Sequence, residues 1–239
     1  MITDKGLEQT IRKLRRFLNT LQQKIFIPIG TIKPELYETK EPLHQIPEER
    51  LFHPIQKNTW GGEGVYGWFC GNYTVPEAAD GRALFLWPKM GYFEATLWLN
   101  GKIHSNYAAK FTVGSHGNHY CNRLVPQAKN GEVLRVALEC YAYHQVLGTQ
   151  PIENVNSTCY EYADGNFEYA TGDMEICLRD DELMDFMFDL STLLSLRDAL
   201  EERSFRRAEV ENALYEAHLR LLYDPNACTE EAFRAAIRS

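Results

Sequence analysis

The chain has no apolar run long enough for a signal-peptide core or a membrane span, since charges recur through its opening stretch, MITDKGLEQTIRKLRRFLNTL. It has no Cys-x-x-Cys pair. Cys70, Cys121, Cys140, Cys159, Cys177 and Cys228 are scattered, and in a chain this long such thiols are expected buried rather than joined in a disulfide frame. It has no basic excess either: 25 Lys and Arg stand against 33 Asp and Glu, a formal charge of -8, which argues against nucleic acid as a partner. There is no G-x-S-x-G elbow and no G-x-x-x-x-G-K-[ST] loop, and Trp60-Gly61-Gly62-Glu63-Gly64 does not stand between a strand and a helix as a nucleotide loop would. From these absences the chain is expected to be cytoplasmic, with neither nucleic acid nor membrane as a partner.

What is present is ordinary globular material. The 239 residues are 44% hydrophobic and 24% charged, enough for one large domain or a domain with a smaller helical unit. The chain is expected to be organised around Arg82 to Lys102. There Phe93, Ala95, Leu97 and Leu99 alternate with Tyr92, Glu94, Thr96 and Trp98, so one apolar set lies on one face of a strand. Asn100-Gly101 accepts positive φ at both central positions of a type I′ turn, which returns the chain toward Ile103. Leu134, Val136, Leu138, Cys140 and Ala142 alternate with Arg135, Ala137, Glu139, Tyr141 and Tyr143, the clearest period-two pattern in the sequence. Further strands are expected at Gly67 to Val75, Ala108 to Val113 and Met174 to Leu178. Tyr160, Tyr162, Phe167 and Tyr169 around Asp164-Gly165 read as another hairpin.

Helices flank this β region. Leu7, Ile11, Leu14, Leu18, Leu21 and Ile25 keep helical spacing, with Pro28 and Gly30 expected to end the helix. From Ile32 to Thr59 the prolines at 34, 42, 47 and 54 suggest a wrapping connection without a core of its own. After the acidic Asp180, Asp181 and Glu182, helical patterns run through Leu183 to Leu200 and Val210 to Leu221. Asp224-Pro225-Asn226 is expected to stop the second, and Thr229 to cap a short last helix. The fold class is therefore mainly β with flanking helices (α+β). It is expected as a jelly-roll-like or galactose-binding-like β-sandwich with an N-terminal amphipathic helix and a C-terminal helical segment. The expected divisions are 1–59 (helix and wrapping segment), 60–180 (sandwich) and 181–239 (helical linker).

Several of these residues together resemble the N-terminal region of the family 38 glycoside hydrolases, the α-mannosidases. They are Trp68-Phe69 with Val75-Pro76, Glu94-Ala95 through Asn100-Gly101, and Gly131-Glu132 leading into Glu139-Cys140-Tyr141-Ala142-Tyr143-His144, with Gly148 after it. The Trp-Phe and Asn-Gly elements are also similar to the sugar-binding sandwich of family 2 glycosidases. The order of basic helix, sandwich and amphipathic helices favours family 38. The resemblance implies a parent enzyme that hydrolyses α-mannosides with zinc or another divalent metal, in a catalytic domain expected beyond Ser239. That family's His-x-Asp metal motif is missing here: none of His44, His53, His104, His116, His119, His144 and His218 is followed two residues later by Asp. No catalytic residue, metal ligand or cofactor is thus expected in this chain, His116 and His119 having no visible third ligand.

Two roles follow. One is a non-catalytic domain whose partner is its own catalytic domain and which helps shape a substrate entrance or oligomer contacts. The other is a free-standing carbohydrate-binding module, in which Trp60, Trp87, Trp98 and Tyr107 with Asn100 and His104 would form a platform for mannosides. Core packing is the competing role for those tryptophans.

Overall fold

The computed structural model describes residues 4–22, 24–108, 120–143, 167–221 and 230–238. The chain divides into two units, Pro28–Leu178 and the pair of segments Met1–Ile27 with Arg179–Ser239.

The first unit is a sandwich built from strands β1 (Phe26–Ile32), β2 (Glu35–Thr39), β3 (His53–Pro54), β4 (Thr59–Gly61), β5 (Tyr66–Thr74), β6 (Leu84–Pro88), β7 (Glu94–Leu99), β8 (Lys102–Ala108), β9 (Asn122–Val125), β10 (Val133–Tyr141), β11 (Glu168–Ala170) and β12 (Met174–Arg179). One sheet has the order β3-β2-β5-β10-β7-β8, a second the order β1-β12-β6-β9, and β11 pairs with β4. Alternation places the even-numbered apolar residues of β10 inward: Leu134, Val136, Leu138 and Cys140 are fully buried, against Leu84, Leu86, Met174 and Ile176 of the other sheet. Tyr107 ties the layers by donating its hydroxyl to the Leu86 carbonyl, 2.9 Å away.

The hairpin β7–β8 turns at Asn100 (φ +49) and Gly101 (φ +83), the backbone pair a type I′ turn requires. Asn100 also fixes its neighbour strand. Its N–H donates to the Arg135 carbonyl and its Oδ1 accepts from the Arg135 N–H, both at 2.9 Å. This hairpin lies toward one side of its sheet, whose middle is the pair β5–β10. The strand of clearest alternation, β10, has neighbours on both sides, so its inward residues meet partners left and right: Leu138 stands opposite Phe69 and Leu97.

Three expectations change. Pro28 and Gly30 do not close a helix but lie inside β1, an edge strand, the place in a sheet where proline is tolerated. The segment 32–59 is only partly a wrapping connection, because β2, β3 and β4 enter the sheets. Residues 1–59 do not form one unit, since the N-terminal helix groups with the C-terminal ones. Of the expected hairpin at 160–169, only the arm that becomes β11 is described. Residues 109–113, His116, His119, His144, Gly148, Asp224-Pro225-Asn226 and Thr229 lie outside the described residues.

The second unit holds α1 (Asp4–Gln22), α2 (Asp181–Ala199), α3 (Phe205–Arg220) and α4 (Glu230–Arg238). Ile11, Leu14, Phe17 and Leu21 form the buried stripe of α1. Arg197 on α2 is buried and pairs with Glu8 of α1 and with Glu211 of α3, the latter at 3.0 Å, joining three helices. Asp180 caps α2 by accepting from the Leu183 N–H at 3.0 Å, and it also pairs with Arg234 of α4. Among the described residues no helix is long and apolar enough to cross a membrane.

Candidate functional site

The odd-numbered residues of β10 point away from the sandwich core and set out a lattice with their neighbours. Tyr141 stands between Tyr66 and Glu94, Glu139 between Trp68 and Thr96, and Ala137 between Cys70 and Trp98. Asn106 continues the middle row from Thr96. The third row and Trp68 are covered: Trp68, Trp98, Ala137 and Phe52 make a small apolar cluster, flanked by Leu43, Ile46 and Tyr37. Residues 43–52 therefore roof one end of this face. The other end is open and forms a groove of about 430 Å³ lined by Tyr66, Glu94, Thr96, Asn106, Glu139 and Tyr141, and also by Ala95 and Tyr107, whose side chains belong to the core.

Two features define this groove chemically. The Tyr66 and Tyr141 rings stack at 4.8 Å with 28° between their planes, a half-exposed aromatic surface. Next to them the Trp98 indole N–H donates to Glu139 Oε2 at 3.2 Å. Half-burial pushes the Glu139 carboxyl above its ordinary range, while the Trp98 bond and the charge of His44 pull it back. Burial likewise raises the Tyr141 phenol, helped by Tyr66, Tyr143, Glu63 and Glu94. Beyond Tyr141, Phe93 and Tyr143 pack at 4.2 Å, and Tyr143 takes a left-handed φ of +73, with its carbonyl accepting from the Gly64 N–H at 2.9 Å. Ring faces suit the C–H side of a pyranose, and carboxylates, an amide and a hydroxyl suit its hydroxyl groups. Among the described residues no three His, Cys, Asp or Glu side chains gather as a metal site.

The six residues expected to form one platform occupy separate settings. Trp60, 3% exposed, donates its indole N–H to the Gly91 carbonyl at 2.9 Å, and its ring lies between Phe69 and Tyr169. Gly67 is what makes room for it, since a Cβ there would come within 2.5 Å of the Trp60 ring. Trp87 belongs to the other sheet, with Lys89 Nζ 3.0 Å over its ring and Tyr120 beside it at 5.1 Å. Asn100 is a turn residue. His104 Nε2 lies 2.7 Å from the Arg123 carbonyl. Tyr107 is 1% exposed. Trp98, though itself covered, reaches the groove through Glu139. The residues that line the groove were visible in the sequence only as the outward half of the strand alternation, and nothing in their spacing joined Glu94 and Tyr66 to Glu139 and Tyr141.

No protein-family model matches this chain, and no curated protein matches it. Solved structures with partial likeness are glycoside hydrolases. Bacteroides uniformis β-glucuronidase is 16% identical with a TM-score of 0.39, over 62% of this chain and 17% of that one. Faecalibacterium prausnitzii β-glucuronidase is 12% identical with a TM-score of 0.35, over 66% and 32%. Kluyveromyces marxianus β-glucosidase in complex with glucose is 13% identical with a TM-score of 0.32, over 70% and 17%. This chain thus spans less than two thirds of each of those proteins. At such identities and scores the likeness is one of partial fold. None of the three is an α-mannosidase.

Proposed function

We propose that this chain is a non-catalytic portion of a glycoside hydrolase of the α-mannosidase type, and that its sandwich contributes a saccharide-contacting face. The observation that carries the proposal is where the motif residues fall. Glu94-Ala95, Glu139 and Tyr141 come from two distant stretches, yet they lie on or directly beside the neighbouring strands β7 and β10 and line one groove, while Trp68-Phe69 sits on the adjacent strand β5. In this reading the hydrolytic carboxylates and any zinc belong to a catalytic domain elsewhere in the parent protein, and that domain is the chain's partner. A neighbour of this kind acts by holding substrate in position rather than by supplying a reacting atom. The groove also favours a second reading, a carbohydrate-binding module that works alone.

Calorimetric titration with mannose and mannobiose tests the saccharide face. Millimolar or tighter binding that weakens at least tenfold in Tyr141→Ala, with melting little changed, is the expected result. No heat at all removes the saccharide role. The enzyme assignment is tested separately, on the full-length gene product with an aryl α-mannoside. A product that leaves α-mannosides intact overturns it.

A further inference from the structure

Trp98 lies beneath the roof at 6% exposure, its ring tilted against that of Trp68 with centroids 5.6 Å apart. It carries one polar atom, an indole N–H that can only donate. That N–H reaches Glu139 Oε2 at 3.2 Å, and among the described residues no other hydrogen bond holds this carboxylate. An ionised carboxylate has about four acceptor positions, so one indole leaves most of them to water or to a ligand. Glu139 is half-buried, which makes an unserved acceptor costly, and the rise of its carboxyl above the ordinary range reflects that cost. The groove is where the cost can be met. Glu139 lines it beside its register partner Thr96, and Tyr141, two residues along the same strand, brings the stacked rings to the same wall. Trp98 cannot shift without disturbing the covered cluster, so its N–H fixes one carboxylate oxygen and leaves the other for the groove.

We propose that Glu139 is the specificity-determining acceptor of this groove, taking one free hydroxyl of a pyranose stacked on Tyr66 and Tyr141, and that Trp98 is the residue that positions it. The inference rests on the saccharide-contacting role and adds to it the group on the sugar that is read. An ionised carboxylate accepts and never donates, so the group it selects must be a donor: a hydroxyl qualifies, and a deoxy carbon or a methyl ether does not. A bond from a hydroxyl to a charged, partly desolvated acceptor is stronger than one to the neutral Thr96 hydroxyl or Asn106 amide, so Glu139 dominates the choice. The hydroxyl takes the place of water at the carboxylate. Charged neighbours tune the bond without supplying it: His44 pulls the Glu139 carboxyl down, and Glu94, at the diagonal position on β7, acts with Glu63 on the Tyr141 phenol.

Calorimetric titration of the full chain with mannobiose, methyl α-mannoside and each monodeoxy derivative of the latter is the test. One derivative is expected to bind the unaltered chain about tenfold more weakly than methyl α-mannoside itself, and in Glu139→Gln the two should fall within about threefold of one another. Trp98→Phe keeps a ring in the covered cluster and removes the donor. It should weaken mannobiose about three- to tenfold, and Trp98→Phe/Glu139→Gln should bind no worse than Glu139→Gln alone, because Trp98 acts through the carboxylate. Binding should also weaken as pH falls through the folded pKa of Glu139, with the midpoint at higher pH in Trp98→Phe; His44 is present in both proteins, so the difference belongs to the lost bond. Additive losses in the double variant, or an unmoved midpoint, overturn the positioning role of Trp98. Derivatives ranked identically by the unaltered chain and Glu139→Gln overturn Glu139 as the selecting acceptor, while mannobiose binding that Tyr141→Ala weakens leaves the saccharide face in place. Absence of binding by every sugar overturns the saccharide face, and the inference with it. Melting curves confirm that the variants are folded, and Trp98→Leu, titrated alike, replaces Trp98→Phe if the latter is not.

Discussion

Leu138→Ala tests the architecture on which the groove depends. Leu138 is fully buried in β10, a strand flanked on both sides, and its register partners are Phe69 on β5 and Leu97 on β7, themselves fully buried. Truncation removes the branched end of the side chain, a methine with its two methyls, from the centre of the core, and buried Leu→Ala changes cost about 2–5 kcal/mol. Relaxation is what separates the ends of that range. The two flanking side chains stand on strands hydrogen-bonded to β10, so neither can move into the space without disturbing a ladder, which places the cost at about 3–4 kcal/mol. For a domain of this size that corresponds to a fall in melting temperature of about 6–15 °C. The matched control is Val133→Ala on the same strand, 56% exposed, which should change stability by no more than about 0.5 kcal/mol. Urea unfolding followed by tryptophan fluorescence reports on this unit, because Trp60 and Trp68 are buried in it. A loss below about 1.5 kcal/mol for Leu138→Ala, or equal losses for the two variants, would refute the assignment of β10 to the middle of a packed sheet.

Glu139→Gln should raise stability at neutral pH. The folded pKa stands above the unfolded one because of burial, so the associated stability is present in acid and lost as pH rises through the folded value; glutamine removes the cost of the ionised form. Melting as a function of pH should show the gain fading toward acid, and a variant less stable than the parent at neutral pH would sink the argument. Asp180 has the opposite sign. Burial raises its carboxyl, but Arg234 and the Leu183 N–H outweigh that and hold it below the usual range, so its contribution is present above the unfolded pKa and lost as pH falls through the folded one. Asp180→Ala should cost about 1–2 kcal/mol at neutral pH in helix-monitored unfolding, and Asp180→Asn less, since asparagine keeps the cap. Equal costs would mean that the ion pair, not the cap, dominates. Arg197→Met should cost about 1–3 kcal/mol, because it strips Glu8 of its partner while Glu211 keeps Arg207 at 3.0 Å; unchanged unfolding would show the network to be neutral.

The strands were legible where one rule sufficed. Period-two alternation placed Leu134, Val136, Leu138 and Cys140 inward without reference to any partner, and Asn100-Gly101 announced its turn because the required positive φ is a local property. What alternation leaves open is adjacency. Nothing in the alternation at 134–142 says that it lies between β5 and β7, so the meeting of Tyr141 with Tyr66 and of Glu139 with Thr96 had no local signal. The tryptophans left two roles open for a related reason. Trp60 is buried because distant Gly67 leaves space for its ring and Gly91 offers an acceptor for its indole, and neither is visible in the residues next to it. Pro28 has the usual habit of a helix stop, but the edge position of β1 tolerates it.

The position of the groove follows from how this sheet handles its second face. Trp68, Trp98 and Ala137 point away from the main core and would form an apolar patch, which residues 43–52 cover through Leu43, Ile46 and Phe52. Covering Trp98 creates a new need, since its indole N–H loses water and takes Glu139 as acceptor. That bond sets a carboxylate on the boundary between the roofed rows and the open one. The open row carries Tyr66 and Tyr141, whose rings can be half-buried against each other while their hydroxyls stay wet, so it needs no roof. The same steps that satisfy the sheet therefore leave an aromatic surface bordered by Glu139 and Glu94.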